Sequence, residues 1–134
     1  MPQGLATSTL GRTGAEVTRL GYGAMEIRGE PRGRPISDED AGKVLNAVLD
    51  AGINFIDTSI DYGRSEECIG KYVSSRRSDF FLATKCGCPL GADASLTDHA
   101  YTRENIVAGV NQSLARMRTD HLDAVQFHGP PPAD

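Results

Sequence analysis

The sequence predicts a parallel α/β fold. Three observations carry that expectation: strand-like and helix-like patterns alternate three times before a last strand, one strand is apolar throughout, and polar residues gather just past the strand ends. The alternating order favours βαβ units with right-handed crossovers. Phe80-Phe81-Leu82-Ala83 is a continuous apolar run, as expected of a parallel strand covered on both faces. An open doubly wound sheet would carry G-x-G-x-x-G between its first strand and helix, and residues 21–33 do not supply it there. Closure as a (β/α)8 barrel places its chemistry at the C-terminal strand ends. The polar residues fall at those ends.

Thr7 to Leu10 and Glu16 to Leu20 flank Gly11-Arg12-Thr13-Gly14 and read as a hairpin. Its second arm continues into Leu20-Gly21-Tyr22-Gly23-Ala24-Met25, where glycines let backbone approach a ligand. Residues 28–36 form a Gly/Pro/Arg loop. Ser37 with Asp40 resembles a capping box, and Asp38, Glu39 and Asp40 suit the positive end of a helix over 38–51. Ala41, Val44, Leu45, Val48 and Leu49 mark its buried face, and Gly52 ends it. A strand over 54–58 follows, then a helix from Ser65 through Ile69 and Val73, then a strand over 79–85. A long loop leads to Thr102, which caps a third helix carrying Ile106, Val110, Leu114 and Met117, and a strand over 121–128 completes the order. Gly129-Pro130-Pro131-Pro132 cannot extend a strand ladder.

The chain has 134 residues, about one domain's worth, and a compact domain of that size buries ~68% of its unfolded surface. Hydrophobic residues make up 39% and charged residues 24%, and no apolar run approaches a membrane span. The start Met-Pro-Gln-Gly-Leu-Ala lacks the marks of a secretory signal, so a cytoplasmic location is expected. A net charge of −4 argues against nucleic-acid or anionic-membrane partners. Arg28, Arg32 and Arg34, and the pair Arg76-Arg77, read first as solvated loop and helix-end charge, the first cluster alternatively as an anion contact. Cys86 and Cys88 are spaced for neither a zinc knuckle nor a redox pair. His99 would be a third ligand, but no second Cys/His pair completes four-coordination, so no metal is expected and the cysteines read as reduced structural thiols.

Asp57, Tyr62, Lys85 and His128 stand at or just past successive strand ends, and in parallel strands those ends share one rim. Singly, each has an ordinary reading: a packed tyrosine, a solvated lysine, an aspartate cap, a strand-end histidine. Together they suit carbonyl reduction, which needs a proton delivered to the developing alkoxide. Moving a phenol's ionisation three units costs about 4 kcal/mol. One ammonium at about 4 Å, at an effective dielectric near 20, supplies about that much. Lys85 would tune Tyr62, Asp57 would keep Lys85 charged and aimed, and His128 would orient the carbonyl.

Leu10-Gly11-Arg12-Thr13-Gly14, Leu20-Gly21-Tyr22-Gly23-Ala24-Met25, Gly52-Ile53-Asn54-Phe55-Ile56-Asp57-Thr58, Asp61-Tyr62-Gly63-Arg64-Ser65-Glu66, Ala83-Thr84-Lys85, Ser113-Leu114-Ala115-Arg116-Met117 and Asp120 through His128, taken in order, closely resemble the aldo-keto reductases. The resemblance implies a TIM barrel closed at its bottom by an N-terminal hairpin, and NADP(H)-dependent reduction of a small aldehyde or ketone. It maps the four catalytic positions onto Asp57, Tyr62, Lys85 and His128. It maps early cofactor contacts onto Gly23, Ala24 and Met25, with Asp57 near the nicotinamide ribose.

On that reading residues 1–134 are the N-terminal half of the domain: a partial (β/α)8 barrel with the hairpin, about four strands and three helices. The later strands carry most of the family's cofactor contacts, so the isolated chain is expected to be weakly active or inactive. Open sheet edges invite self-association. Two other readings stand beside it: a non-catalytic half-barrel that serves in binding or assembly, and an aldolase-like barrel with Lys85 as a Schiff-base lysine.

Overall fold

The computed structural model describes residues 4–90, 99–131 and 133. Met1 to Gln3, most of the loop expected before Thr102, and Pro132 lie outside the described residues. Strands β1 (Thr7–Thr9) and β2 (Glu16–Thr18) form the predicted antiparallel hairpin, with Ser8 opposite Val17. Four parallel strands, β3 (Tyr22–Gly23), β4 (Phe55–Asp57), β5 (Phe81–Cys86) and β6 (Ala124–Phe127), lie side by side in sequence order. Helices α1 (Asp38–Asp50), α2 (Ser65–Val73) and α3 (Arg103–Met117) connect them. This is the repeated βα order expected of a barrel arc.

Asn54, just before β4, ties the hairpin beneath the sheet. Its Oδ1 accepts from Thr18 N at 2.7 Å, its own N donates to Thr18 Oγ1 at 3.1 Å, and its Nδ2 donates to Glu16 O at 3.0 Å. Because Asn54 precedes its strand, the hairpin lies at the N-terminal strand ends. The opposite rim stays free for chemistry.

Capping follows the sequence. Ser37 Oγ accepts from Asp40 N at 3.1 Å, and Thr102 Oγ1 accepts from Asn105 N at 3.2 Å, each satisfying an otherwise unpaired amide of a first turn. The helix faces differ from expectation in detail. In α1, Ala41, Leu45 and Leu49 are buried on one ridge, whereas Val44 is exposed, about 100° round the helix from Leu45. In α3 the buried line is Gly109, Ser113 and Met117, with Ile106, Val110 and Leu114 only half-buried. At Gly109 an added Cβ would meet Ile60 Cδ1 at 3.0 Å, so a small residue suits that position. The last strand starts at Ala124, three residues later than expected, after a turn in which His121 N donates to Thr119 Oγ1 at 3.5 Å.

Leu45, Ile56, Ile69, Val73, Leu82 and Met117 are almost wholly buried between sheet and helices. Each of the larger aliphatic side chains contributes ~1.5–3 kcal/mol at most. Arg77 departs from the solvated reading. Its guanidinium donates to Phe80 O at 2.7 Å, His121 O at 3.1 Å and Asp123 Oδ2 at 2.6 Å, and so locks the approach to β5 against the approach to β6. Arg28 likewise donates to the carbonyls of Met25 and Arg32, and Arg32 to that of Asp61, so these two cations serve the fold.

The α2–α3 crossing rests on Gly70, where an added Cβ would overlap Arg116 O and Met117 Cα. Gly70→Ala is therefore expected to cost ~1–3 kcal/mol. Urea unfolding should show a lower midpoint for Gly70→Ala, with little change for Gly4→Ala, which has no neighbour to meet.

Candidate active site

Strand register builds the site. Gly23, Asp57, Ala83 and Ala124 occupy one rung across the four strands. Lys85 and its partner Gln126 stand two residues higher, and His128 two higher again. Steps of two keep side chains on the same face, so Asp57, Lys85 and His128 climb one side of the sheet towards its C-terminal rim. The backbone N of His128 donates to Cys86 O at 3.1 Å, extending the ladder past β6 and fixing the last of them.

Lys85 reaches back down this staircase. Its Nζ donates to Asp57 Oδ2 at 2.7 Å and to Thr58 O at 2.8 Å, with only 12% of the side chain exposed. The ammonium lies 5.1 Å from the centroid of the Tyr62 ring, and the His128 ring meets that of Tyr62 edge-on at 5.7 Å and 87°. All four residues singled out in the sequence thus converge. The lysine is held by an ion pair and a carbonyl, which does not suit the free amine an aldolase nucleophile requires.

Tyr62 sits in the loop after β4, and the local sequence shapes that loop. Tyr62 N donates to Ser59 O at 3.2 Å and Ser65 N to Tyr62 O at 2.9 Å, turning the chain into α2. Gly63 adopts φ 47°, and any Cβ there would overlap Arg28 O, so only glycine fits the turn. Arg64 N donates to that same Arg28 carbonyl at 3.2 Å, and Arg32 holds the carbonyl of Asp61. The arginine loop therefore clamps the tyrosine loop from outside.

A second polar layer was not singled out from the sequence. Thr58 Oγ1 and Ser65 Oγ, both buried, are 2.8 Å apart. Glu66, 1% exposed, accepts from Thr84 Oγ1 at 2.9 Å and from Arg116 Nη1 at 3.2 Å, and Arg116 also donates to Ile60 O at 3.2 Å. Around His128 Nδ1 stand Ser59 Oγ at 2.9 Å, Asp61 Oδ1 at 3.2 Å and Cys88 Sγ at 3.2 Å. The available signal was the polar run Thr58-Ser59 directly after an apolar strand, since buried polar groups need partners.

Burial lowers the pKa of His128 from 6.5, with the nearby Lys85 and His99 acting the same way against the opposing pull of Asp61 and Asp57. The imidazole is accordingly neutral at neutral pH. Burial also raises the Cys88 thiol. The three cysteines are free and buried. Cys88 and His99 do come together, but with His128 and not with Cys86: one donor atom from each lies within 4.8 Å of the other two.

The expected cofactor contacts divide by burial. Gly23 faces open space and Met25 is exposed, so both are accessible, whereas the Ala24 side chain is fully buried and only its backbone is available. Asp57 Oδ1 is buried and has no hydrogen-bond partner among the described residues. A hydroxyl donor would satisfy it.

The sequence model of the aldo/keto reductase family matches residues 19–134. Among curated proteins, the chain is 37% identical to the aldo-keto reductase YhdN of Bacillus subtilis, over 93% of this chain and 38% of that protein. It is 34% identical to L-galactose dehydrogenase of Arabidopsis thaliana, over 89% of this chain and 36% of that one. Among solved structures, the holo form of an aldo-keto reductase from Bacillus halodurans superposes with a TM-score of 0.84 at 29% identity, over 95% of this chain and 41% of that one. The chain thus spans less than half the length of the relatives it matches.

The imidazole's surroundings set a direction for its titration. In chelator-treated protein, the NMR-detected midpoint of His128 should fall below 6.5. Asp61→Asn should lower it further, because it removes the carboxylate that favours the imidazolium. A midpoint that rises in Asp61→Asn would contradict this account.

Proposed function

The chain belongs to the aldo/keto reductase family, and from that premise we propose that its rim is the proton-transfer half of an NADP(H)-dependent site reducing a small aldehyde or ketone. The observation that carries this reading is the convergence of Tyr62 with the Lys85–Asp57 pair on one side and the His128 ring on the other. NADP(H), when bound, supplies the hydride.

The chain's own residues do the rest. Tyr62 gives its hydroxyl proton to the oxygen of the reduced carbonyl. Lys85 places a fixed positive charge against the phenol ring, where it favours negative charge developing on that ring. Asp57 divides its labour between two oxygens: Oδ2 holds Lys85, while the unpartnered Oδ1 is free to accept from a ribose hydroxyl. His128, neutral and with Nδ1 taken up by its neighbours, offers Nε2 to the carbonyl oxygen and orients it. Gly23, at the end of β3, and Met25, just after it, are accessible to a cofactor, and Ala24 adds backbone only.

The described residues supply four parallel strands of such a barrel. Alone it is expected to turn over slowly, because a cofactor is held here by a few rim residues. Spliced in place of the matching segment of the Bacillus subtilis relative, it should support NADPH-dependent reduction of a small aromatic aldehyde. Tyr62→Phe in that chimera should cut the rate by roughly 100-fold or more. A folded chimera without activity, or one indifferent to Tyr62→Phe, would sink the assignment.

One observation favours a second role for the isolated chain in assembly. Among the described residues β6 is an edge strand of the sheet, and Val125 and Phe127 on it are 43% and 56% exposed. Such an edge pairs readily with another strand. Sedimentation of the chain at micromolar concentration should show self-association, and a strict monomer would remove this reading.

A further inference from the structure

We propose that Cys88, His99 and His128 form a binding site for a thiophilic divalent cation, Zn²⁺ fitting best, and that an ion taking His128 Nδ1 displaces the Ser59 contact that orients the ring and so inhibits carbonyl reduction. The second half of this statement rests on the reductase reading above. The first half does not.

The three residues come from separate segments, each independently anchored. Cys88 follows β5, is 1% exposed, and its carbonyl accepts from Asn105 Nδ2 at 3.2 Å. His99 precedes α3 and stacks on Tyr101, with centroids 6.1 Å apart and planes within 9°. His128 follows β6 and is held by its backbone bond to Cys86 O and by Ser59. Their donor atoms lie within 4.8 Å of one another, Cys88 Sγ is 3.2 Å from His128 Nδ1, and the two imidazole rings are 5.4 Å apart. A tetrahedral zinc ion with bonds of ~2.0–2.3 Å sets its ligand atoms roughly 3.3–3.6 Å apart. Side-chain movements of about 1 Å close the difference.

A second observation points to a ligand. His99 Nε2 is buried and has no hydrogen-bond partner among the described residues. A buried imidazole nitrogen without a partner is costly, and a cation between His99 and Cys88 would satisfy it. One sulfur and two imidazole nitrogens select zinc-like ions over magnesium or calcium, which prefer oxygen. Three protein ligands leave a fourth position open. As the metal–sulfur bond forms, the Cys88 thiol proton passes to solvent. Asp61, whose Oδ1 is 3.2 Å from His128 Nδ1, brings compensating negative charge, and the nearest ammonium, Lys85, is already neutralised by Asp57.

Cobalt(II) serves as the optical probe. Titration of the 134-residue chain should produce a thiolate-to-cobalt absorption band that saturates at one ion per chain, and Zn²⁺ should abolish the band by displacement. His99→Ala and Cys88→Ser should each weaken binding at least 10-fold with circular dichroism unchanged. No thiolate band, or binding of equal strength in His99→Ala, would overturn the site, and so would binding through exposed carboxylates that both variants retain. In the active chimera, Zn²⁺ should inhibit reduction, and His99→Ala should keep the basal rate while losing at least 10-fold in Zn²⁺ sensitivity. An inactive chimera with an intact cobalt band would refute the reductase reading alone. Inhibition equal in parent and His99→Ala would refute the link between the metal and His128.

Discussion

The ion pair between Lys85 and Asp57 is the interaction on which the rim depends. The two residues stand on neighbouring parallel strands, two rungs apart, with side chains on one face. A lysine stem spans that offset, and its ammonium also takes the Thr58 carbonyl, so one side chain ties β5 to the residue where β4 gives way to the tyrosine loop. At 12% and 32% side-chain exposure neither charge is freely hydrated. Partly buried pairs of this kind gain little net stability, because desolvation offsets attraction. Their value here is positional: a cation is fixed against an aromatic ring, and a buried carboxylate oxygen is left without a partner.

Positioning the ring falls to a different set of forces. Between residues 59 and 64 Ile60 is buried against α3, and hydrogen bonds hold the rest of the loop from three directions. Arg28 and Arg32 grip it from the β3 side, Thr58 and Ser65 close its base, and Arg116 reaches the Ile60 carbonyl from α3. Glu66 explains how Arg116 can be spent in this way. Its buried carboxylate holds the guanidinium while Thr84 on β5 occupies its other oxygen, so strand, loop and two helices share one polar junction. A fully satisfied junction rigidifies, whereas a half-satisfied one would destabilise the interior.

Much of this was legible in the sequence because it follows from period and spacing. The parallel order, the two caps at Ser37 and Thr102, and the meeting of Asp57, Tyr62, Lys85 and His128 all depend on strand ends sharing a rim, which local patterns reveal. What stayed hidden depends on pairs far apart in the chain. Arg77 reads as an ordinary helix-end charge until Asp123 is placed beside it, and nothing local marks Glu66 as buried until Arg116 of α3 is placed against it. The inward line of α3 was misjudged for a related reason. Gly109 and Ser113 carry no hydrophobic signal, yet both are buried, Gly109 against the Ile60 side chain of the tyrosine loop. Metal-ligand spacing failed in the same way, since Cys88 and His128 are forty residues apart and only the β5–β6 register unites them.

His128 is where these strands of argument meet. A histidine serving a carbonyl must stay neutral and keep one nitrogen available, and burial together with the nearby ammonium secures the first condition. The second is less secure, because the environment that keeps the ring neutral also makes it a metal ligand: an uncharged imidazole beside a sulfur, with a carboxylate close by. Neutral imidazole is the form that both a carbonyl and a cation require. The two uses draw on different nitrogens of one ring: the carbonyl takes Nε2, while a cation takes Nδ1 and breaks the Ser59 contact that orients the ring. What separates them is His99, which contributes to the cation and not to the carbonyl. Its placement in the segment before α3, away from the strand-end staircase, lets the two chemistries be varied independently.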